Sequence, residues 1–176
     1  MRYNTIRQLD IANGPGCRVS LFVQGCTFNC PGCFNDVARD FDKGTEFTDQ
    51  TLQLILELLK PSHISGLSIL GGEPLHPRNR QATLDLVKQI RTYAPDKSIW
   101  LWTGYCWEDV AEDLIGSGID VVVDGQFSVD ITVDAPDAAA LSRVDSLVVG
   151  NQRIGSSRIV GDVDSGVCRD GIVGVR

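Results

Sequence analysis

The sequence predicts an α/β fold, a single domain built as an incomplete, open parallel β/α barrel. Short apolar runs alternate with amphipathic helical segments, which is the pattern of βαβ units and a parallel sheet. The chain has 176 residues, 43% of them hydrophobic, enough for one core but fewer than the about 250 of a closed eight-unit barrel. Polar or glycine-rich segments follow four predicted strands. We therefore expect these segments to meet at one edge of the sheet.

The first predicted strand is VSLFV, residues 19–23, an apolar run with β-branched and aromatic members. It leads into a segment broken by glycine and proline. FTDQTLQLILELLK, residues 47–60, predicts an amphipathic helix, because its apolar residues recur at helical spacing. Thr48 is the expected N-cap and Pro61 ends the helix.

The later elements follow the same alternation of strand and helix. They are a strand at 66–70 followed by GGEP, a helix at 79–94, a strand at 99–103, a helix at 108–115 and a strand at 119–125. Beyond residue 128 the pattern weakens, although SLVVG, 146–150, is a candidate strand. We expect one domain over 1–155, followed by a C-terminal tail over 156–176 that is rich in Gly, Asp and Ser and is a candidate for a flexible segment.

Composition excludes several classes of protein. The formal net charge of −7 argues against a duplex nucleic-acid binder, which normally presents a basic face. MRYNTIRQLDI at the amino terminus has no apolar core of signal-peptide length, and runs such as VVV at 121–123 are too short to cross a bilayer. We therefore expect a cytoplasmic protein with neither a nucleic-acid nor a membrane partner.

The segment GCTFNCPGCFN, residues 25–35, places Cys26, Cys30 and Cys33 within eight residues. A four-iron cluster normally takes one cysteine per iron, so three thiolates leave one iron open to a small molecule. The alternative is a closed zinc site with a fourth ligand from elsewhere in the chain. Candidates for that ligand are Cys17, Cys106, Cys168, His63 and His76. The spacing favours the cluster, because zinc sites usually combine two CxxC-type pairs.

The GGEP segment after the second predicted strand is the other candidate site. Gly71 and Gly72 let a ligand approach the main chain, and Glu73 adds a carboxylate acceptor. A plain turn between strand and helix is the alternative for this segment alone. The combination of CxxxCxxC with a later strand ending in GGEP is much more specific than either part.

CxxxCxxC with a downstream GGEP resembles the radical S-adenosylmethionine enzymes. Among them, the chain is similar to the glycyl-radical-enzyme activases that act on anaerobic ribonucleoside-triphosphate reductase. The resemblance rests on DIANGPGCR at 10–18, LFVQGCTFNCPGCFN at 21–35, GGEPLHPRN at 71–79, IWLWTGY at 99–105 and VVDGQF at 122–127. GPG before the cysteines, and WTGY, are particular to these activases. One segment departs from the family pattern, namely LVVGNQRI at 147–154. Family members usually carry Arg-Gly-Ser before the Asn-Gln-Arg that starts here at Asn151. Its absence puts partner specificity in question.

The resemblance implies a site within a radical-SAM type of barrel. Cys26, Cys30 and Cys33 would hold a [4Fe-4S] cluster whose open iron is chelated by S-adenosyl-L-methionine. The other implied cofactor-binding residues are Gly71, Gly72 and Glu73 at the methionine amino end, Gly32 and Phe34 beside Cys33 near the adenine, and Trp102 and Thr103 at a strand end over the same site. We expect Trp100 in the core and Trp102 on the other face of the strand. No side chain is assigned as a catalytic acid or base.

The implied reaction is reductive cleavage of S-adenosylmethionine to generate a glycyl radical on the large subunit of anaerobic ribonucleoside-triphosphate reductase. The implied electron donor is a protein such as flavodoxin. Two enzymatic alternatives remain open, namely activation of a different glycyl-radical enzyme and radical chemistry on a small molecule. A zinc-stabilised binding module is the alternative without catalysis.

Overall fold

The computed structural model of the protein describes residues 1–127, 147–149, 152–154 and 171–174. Its strands are β1 (Arg2–Asp10), β2 (Cys17–Val23), β3 (Thr45–Glu46), β4 (Ile64–Gly71), β5 (Ser98–Trp102), β6 (Val121–Asp124), β7 (Leu147–Val149), β8 (Gln152–Ile154) and β9 (Gly171–Gly174). Its helices are α1 (Asp49–Leu59), α2 (Arg80–Tyr93) and α3 (Trp107–Leu114), with a short 3₁₀ helix at Asp36–Ala38. Within these ranges, no helix has the length and apolar character that crossing a membrane requires.

Seven strands form one mixed, open sheet in the order β3-β1-β2-β4-β5-β6-β9. The four central strands β2, β4, β5 and β6 are mutually parallel, as the alternation of strands and helices predicted. β1 and β9 pair antiparallel with β2 and β6, and β3 pairs antiparallel with β1. The fold is therefore α/β, with a parallel centre and antiparallel strands on both sides. β7 and β8 form a separate antiparallel pair.

The helices cover one face of this sheet. Inward residues of the strands, such as Leu21, Ile69 and Leu101, form a single buried cluster with apolar residues of all three helices. α1 begins after Thr48, whose hydroxyl accepts from the Thr51 amide in a reciprocal capping box. The predicted N-cap is therefore confirmed. Because every helix packs on this face, the strand ends and the opposite face remain for a site.

The opposite face carries a buried arginine near the start of β2. Arg18 is 0% exposed. Its guanidinium donates to the Ser68 hydroxyl at 2.6 Å, the Ser98 hydroxyl at 2.9 Å and the Leu67 carbonyl at 2.8 Å. Burial lowers the pKa of Arg18 to about 10. These bonds join β2, β4 and β5 at the end of the sheet away from the cysteines.

Two features differ from the sequence-based expectation. β1 was not predicted, because most of its residues are exposed and its apolar residues are few. Trp100 and Trp102 lie on the same face, with ring centroids 5.6 Å apart, so the expectation of opposite faces was wrong. Residues two apart on a strand share a face.

The carboxyl-terminal region is described only in part. Leu147–Val149 is a strand, but it pairs with β8 and not with the main sheet. β9 joins the main sheet beside β6. The predicted boundary at 155/156, Asn151 and Cys168 lie outside the described residues.

Candidate functional site

A cavity of about 350 Å³ opens at the carboxyl ends of the parallel strands. Nine of the ten predicted site residues line it, namely Cys26, Cys30, Cys33, Phe34, Gly71, Gly72, Glu73, Trp102 and Thr103; the tenth, Gly32, does not. The volume is within the range of small-molecule sites in proteins, about 300–1,000 Å³. The structure thus brings cysteines, glycines and strand-end side chains that are up to 77 positions apart, from Cys26 to Thr103, to one place.

The three cysteines belong to a loop, residues 24–40, that is closed at its base. We call it the cysteine loop. The Gly25 amide donates to the Ala38 carbonyl at 2.7 Å and the Cys26 amide donates to the Arg39 carbonyl at 3.0 Å. The Gln24 side-chain amide donates to the Val37 carbonyl at 3.0 Å. These bonds hold the two ends of the loop together through the main chain and one buried side chain.

Within the loop, a strained residue precedes the second cysteine. Asn29 has a φ of 52°, the left-handed conformation that most residues avoid. The Arg39 guanidinium contacts the Asn29 side-chain oxygen and donates to the Cys30 carbonyl at 3.3 Å. Arg39 also pairs with Asp36 at 2.7 Å. Arg39 therefore connects the return side of the loop to the turn between Cys26 and Cys30.

The donor set suits a cationic iron–sulfur centre. Burial raises the pKa of the Cys26 thiol, and the negative charges of Glu73, Cys30 and Cys33 raise it further. A positively charged metal centre relieves that repulsion, because thiolates are the metal-binding form of cysteine. Among the described residues, no group of three or more His, Cys, Asp or Glu side chains converges to hold one metal ion.

The GGEP loop, residues 71–74, packs tightly against the cysteine loop. The Gly72 amide donates to the Val23 carbonyl and the Glu73 amide donates to the Gly25 carbonyl, both at 2.8 Å. A Cβ on Gly72 would lie 2.5 Å from the Gly25 carbonyl oxygen. Gly71 has a φ of 110°. The glycines therefore permit close packing between two loops as well as the turn itself.

Glu73 is almost fully buried, with 1% of its surface exposed. Its Oε1 accepts from the Leu75 amide at 2.8 Å and from the Thr103 hydroxyl at 2.7 Å, and its Oε2 accepts from the Gly104 amide at 2.7 Å. Burial raises the pKa of Glu73, although these hydrogen bonds act in the opposite direction. The carboxyl group thus connects the GGEP loop to the TGY loop, residues 103–105.

Sequence reasoning missed several residues that line or shape the cavity. Phe28 lies against the TGY loop, Asn29 and Arg39 shape the cysteine loop, and Asp124 accepts from the Trp107 amide at 2.8 Å. Position at a strand end was the available signal for Asp124, which begins the DGQF segment. The contacts of Phe28 and Arg39 had no sequence signal.

The mouth of the cavity is aromatic. Phe34 is 73% exposed, and its ring meets the edge of the Phe127 ring at a centroid distance of 5.7 Å. Trp102 is half-buried on the cavity wall. His63 is exposed, and His76 packs on Phe41 without lining the cavity.

Comparison with known proteins identifies the family. A model of the 4Fe-4S single cluster domain matches residues 12–144. The chain is 42% identical over 127 residues to the anaerobic ribonucleoside-triphosphate reductase-activating protein of Enterobacteria phage T4, which covers 72% of this chain and 81% of the phage protein. The chain belongs to this family of reductase-activating proteins. The family member of Escherichia coli K12 is 41% identical over 135 residues, covering 74% of this chain and 88% of that protein.

The Vibrio cholerae member is 41% identical over 131 residues, or 72% of this chain and 84% of its own. Membership in the reductase-activating family confirms the resemblance drawn from the cysteine and glycine motifs. It also confirms an enzyme with an iron–sulfur cluster and favours the cluster over the zinc alternative.

Proposed function

We propose that this protein is a radical S-adenosylmethionine enzyme that installs a glycyl radical on anaerobic ribonucleoside-triphosphate reductase. The observation that carries the proposal is the convergence of the three cysteines, the GGEP loop and the TGY loop on one cavity. The names of the relatives support the choice of target. We propose that the enzyme acts in the cytoplasm and that residues 1–155 form its radical-SAM catalytic domain.

Cys26, Cys30 and Cys33, which line the cavity, would hold a [4Fe-4S] cluster. When bound, the reduced cluster supplies one electron for cleavage of the sulfonium of S-adenosylmethionine, which provides the radical that abstracts a hydrogen atom from a partner glycine. The chain itself positions the groups. Its contribution begins with the closed base of the cysteine loop, which fixes the separation of Cys26 from the return segment.

The GGEP loop would receive the amino end of S-adenosylmethionine. A bound amino group donates hydrogen bonds, so it needs acceptors. The Gly72 and Glu73 amides already donate to the cysteine loop and its strand, so we assign the acceptor role to main-chain carbonyls of Gly71 and Gly72.

The adenosine end would lie along the aromatic mouth. Phe34 offers an exposed ring at the cavity edge, and Trp102 and Thr103 line the wall formed by the end of β5. Gly32 does not line the cavity; at a φ of 71° it would act by allowing the turn that presents Cys33 and Phe34. An aromatic ring stacks readily on a purine, because every base has a π-face.

The open sheet supports a macromolecular target. We interpret it as an incomplete barrel of the radical-SAM type, left open on one side to admit the glycine-bearing loop of the reductase. We propose a one-electron donor protein, such as flavodoxin, as the source of the electron.

Anaerobic reconstitution tests the proposal. The purified protein should contain about four irons and four sulfides per chain, as expected for a [4Fe-4S] cluster. With dithionite and S-adenosylmethionine it should release 5′-deoxyadenosine, and with the reductase it should give a glycyl radical signal by electron paramagnetic resonance. A closed single-ion site, or no deoxyadenosine from loaded protein, would contradict the proposal.

Two cysteine variants provide the matched comparison. Cys26→Ser removes a proposed ligand and should abolish cluster binding. Cys17→Ser alters a partly buried free thiol at the start of β2, outside the cavity, and should leave iron content unchanged. Loss of iron in both variants would indicate unfolding and not ligation.

A further inference from the structure

The three hydrogen bonds to the Glu73 carboxylate form a contact that we call the Glu73 bracket. Its donors are the Leu75 amide, the Thr103 hydroxyl and the Gly104 amide, at 2.7–2.8 Å. Leu75 follows Glu73 in the chain, whereas Thr103 and Gly104 belong to the TGY loop after β5. The bracket therefore joins the ends of two neighbouring parallel strands across the floor of the cavity.

The same residue is fixed on its main-chain side. The Glu73 amide donates to the Gly25 carbonyl at 2.8 Å. The Asn79 side-chain amide donates both to the Glu73 carbonyl at 3.0 Å and to the Gln24 carbonyl at 2.9 Å. Glu73 is thus held by the cysteine loop through its main chain and by the TGY loop through its carboxylate.

The TGY loop also contacts the cysteine loop directly. A Cβ on Gly104 would lie 2.6 Å from the Phe28 ring, and that ring meets Tyr105 edge-on. The Thr103 hydroxyl, besides donating to Glu73, accepts from the Tyr105 amide at 3.2 Å. Movement of the TGY loop would therefore disturb the segment between Cys26 and Cys30.

We propose that Glu73 is a positioning residue whose carboxylate fixes the TGY loop against the GGEP and cysteine loops, and is not a direct ligand of the bound cofactor. A carboxylate that contacts the ligand would have to give up one of three short hydrogen bonds, or accept a further donor at a site where 1% of its surface is exposed. Leaving a buried donor without an acceptor is unfavourable, because the donor has lost its water and gained no partner. The inference rests on the proposed function for its ligand, S-adenosylmethionine, but the bracket can be measured without any ligand.

Glu73→Gln is the sharpest variant, because it keeps the shape of the side chain. Its amide oxygen can still accept from Leu75 and Thr103, but its NH₂ group then faces the Gly104 amide, which is also a donor. Thr103→Val removes only the hydroxyl, and Thr103→Ser retains it. Asp10→Asn is the matched control, because Asp10 is a buried carboxylate that accepts from the Ala12 amide far from the cavity.

The first measurement is hydrogen–deuterium exchange, by mass spectrometry, of the anaerobically reconstituted protein without ligand. Glu73→Gln should raise exchange of the peptide containing the Gly104 and Tyr105 amides by about tenfold, as expected for the loss of one buried hydrogen bond. Asp10→Asn should leave this peptide unchanged. Unchanged exchange in Glu73→Gln would overturn the proposal.

The second measurement is the affinity for S-adenosylmethionine of the reconstituted, unreduced protein. Glu73→Gln and Thr103→Val should each weaken binding about tenfold, and the double variant should be no weaker than Glu73→Gln, because both break one bracket. Thr103→Ser should bind like the wild type. Losses that multiply in the double variant would show that Glu73 and Thr103 act on binding independently and would overturn the proposal. A wild type that binds no S-adenosylmethionine contradicts the proposed function and leaves the exchange result to decide the bracket.

Discussion

The ring of Phe28 meets the ring of Tyr105 edge-on, with centroids 4.9 Å apart and planes at 74°. Phe28 lies between Cys26 and Cys30, and Tyr105 ends the TGY loop. The pair shows that the cysteine loop, which follows β2, reaches past β4 and packs through aromatic contact on the loop after β5.

Gly104→Ala should weaken the packing of the cysteine loop on the TGY loop. Its new methyl group would lie 2.6 Å from Phe28, and Gly104 has no positive φ to add backbone strain, so the ring itself must move. We expect lower iron retention after gel filtration of the reconstituted protein. Phe28→Leu in the Gly104→Ala background should restore part of the loss, because a smaller side chain vacates the space. Equal iron content in Gly104→Ala and wild type would contradict this packing.

Arg39→Gln should speed loss of the cluster. The variant removes the donor to the Cys30 carbonyl and the contact with Asn29, whose left-handed conformation then loses its partner. We expect cluster loss to a chelator, followed by visible absorbance, to be about tenfold faster. Lys43→Gln, which removes the same charge from an exposed side chain, should match the wild type. If both variants lost the cluster at the same rate, the effect would come from the lost positive charge and not from the contacts of Arg39.

Asp10→Asn should destabilise the protein in a pH-dependent way. Burial raises the pKa of Asp10, but hydrogen bonds from Ala12 and Asn13 and the charge of Arg7 outweigh it, so the net pKa lies below its usual value of 3.8. A lowered carboxyl pKa contributes stability above 3.8 that is lost as the pH falls through the folded-state value. The difference in melting temperature between variant and wild type should therefore be largest near neutral pH and shrink below 3.8. The metal-free chain is used, because acid dissolves the cluster. A melting-temperature difference that grows on acidification would refute the lowered pKa of Asp10.

Arg18→Met should destabilise the sheet without affecting the cysteine loop. Without the guanidinium, the Ser68 and Ser98 hydroxyls face a buried apolar side chain. We therefore expect the free energy of unfolding, measured in urea, to fall by about 2–4 kcal/mol. Lys88→Met, on an exposed helix position, should change it by less than about 0.5 kcal/mol. Folded Arg18→Met should still bind a full cluster, since Arg18 lies near the start of β2; loss of iron from folded protein would contradict that separation.

The central parallel strands were predictable because they are buried on both faces and read as apolar runs. Residues 19–23 and 66–70 of the prediction fall inside β2 and β4. β1 escaped prediction because its stability comes from pairing with β2 and not from burial of its own side chains. The tendency of a segment to form a strand depends on the neighbours that it packs against, so an exposed strand of mostly polar residues leaves little trace in its own sequence.

The residue types of the candidate site could be predicted from the sequence, but the hydrogen bonds between its loops could not. The cysteine spacing and GGEP indicated which groups belong together, because strand order places their loops at one edge. The sequence did not predict the hydrogen bond between the Glu73 carboxylate and Thr103, 30 residues away, because this bond depends on the loop conformations. The left-handed turn at Asn29 and its Arg39 partner were hidden for the same reason.

The main-chain bonds that close the base of the cysteine loop involve no sulfur atom. Because they join Gly25 and Cys26 to Ala38 and Arg39, the loop ends stay together before any metal arrives, and the entropy of closing the loop is lost during folding and not during metallation. Iron and sulfide would then bind to a loop whose ends are already joined. A chain stripped of its cluster should accordingly be repairable in place, without passing through the unfolded state.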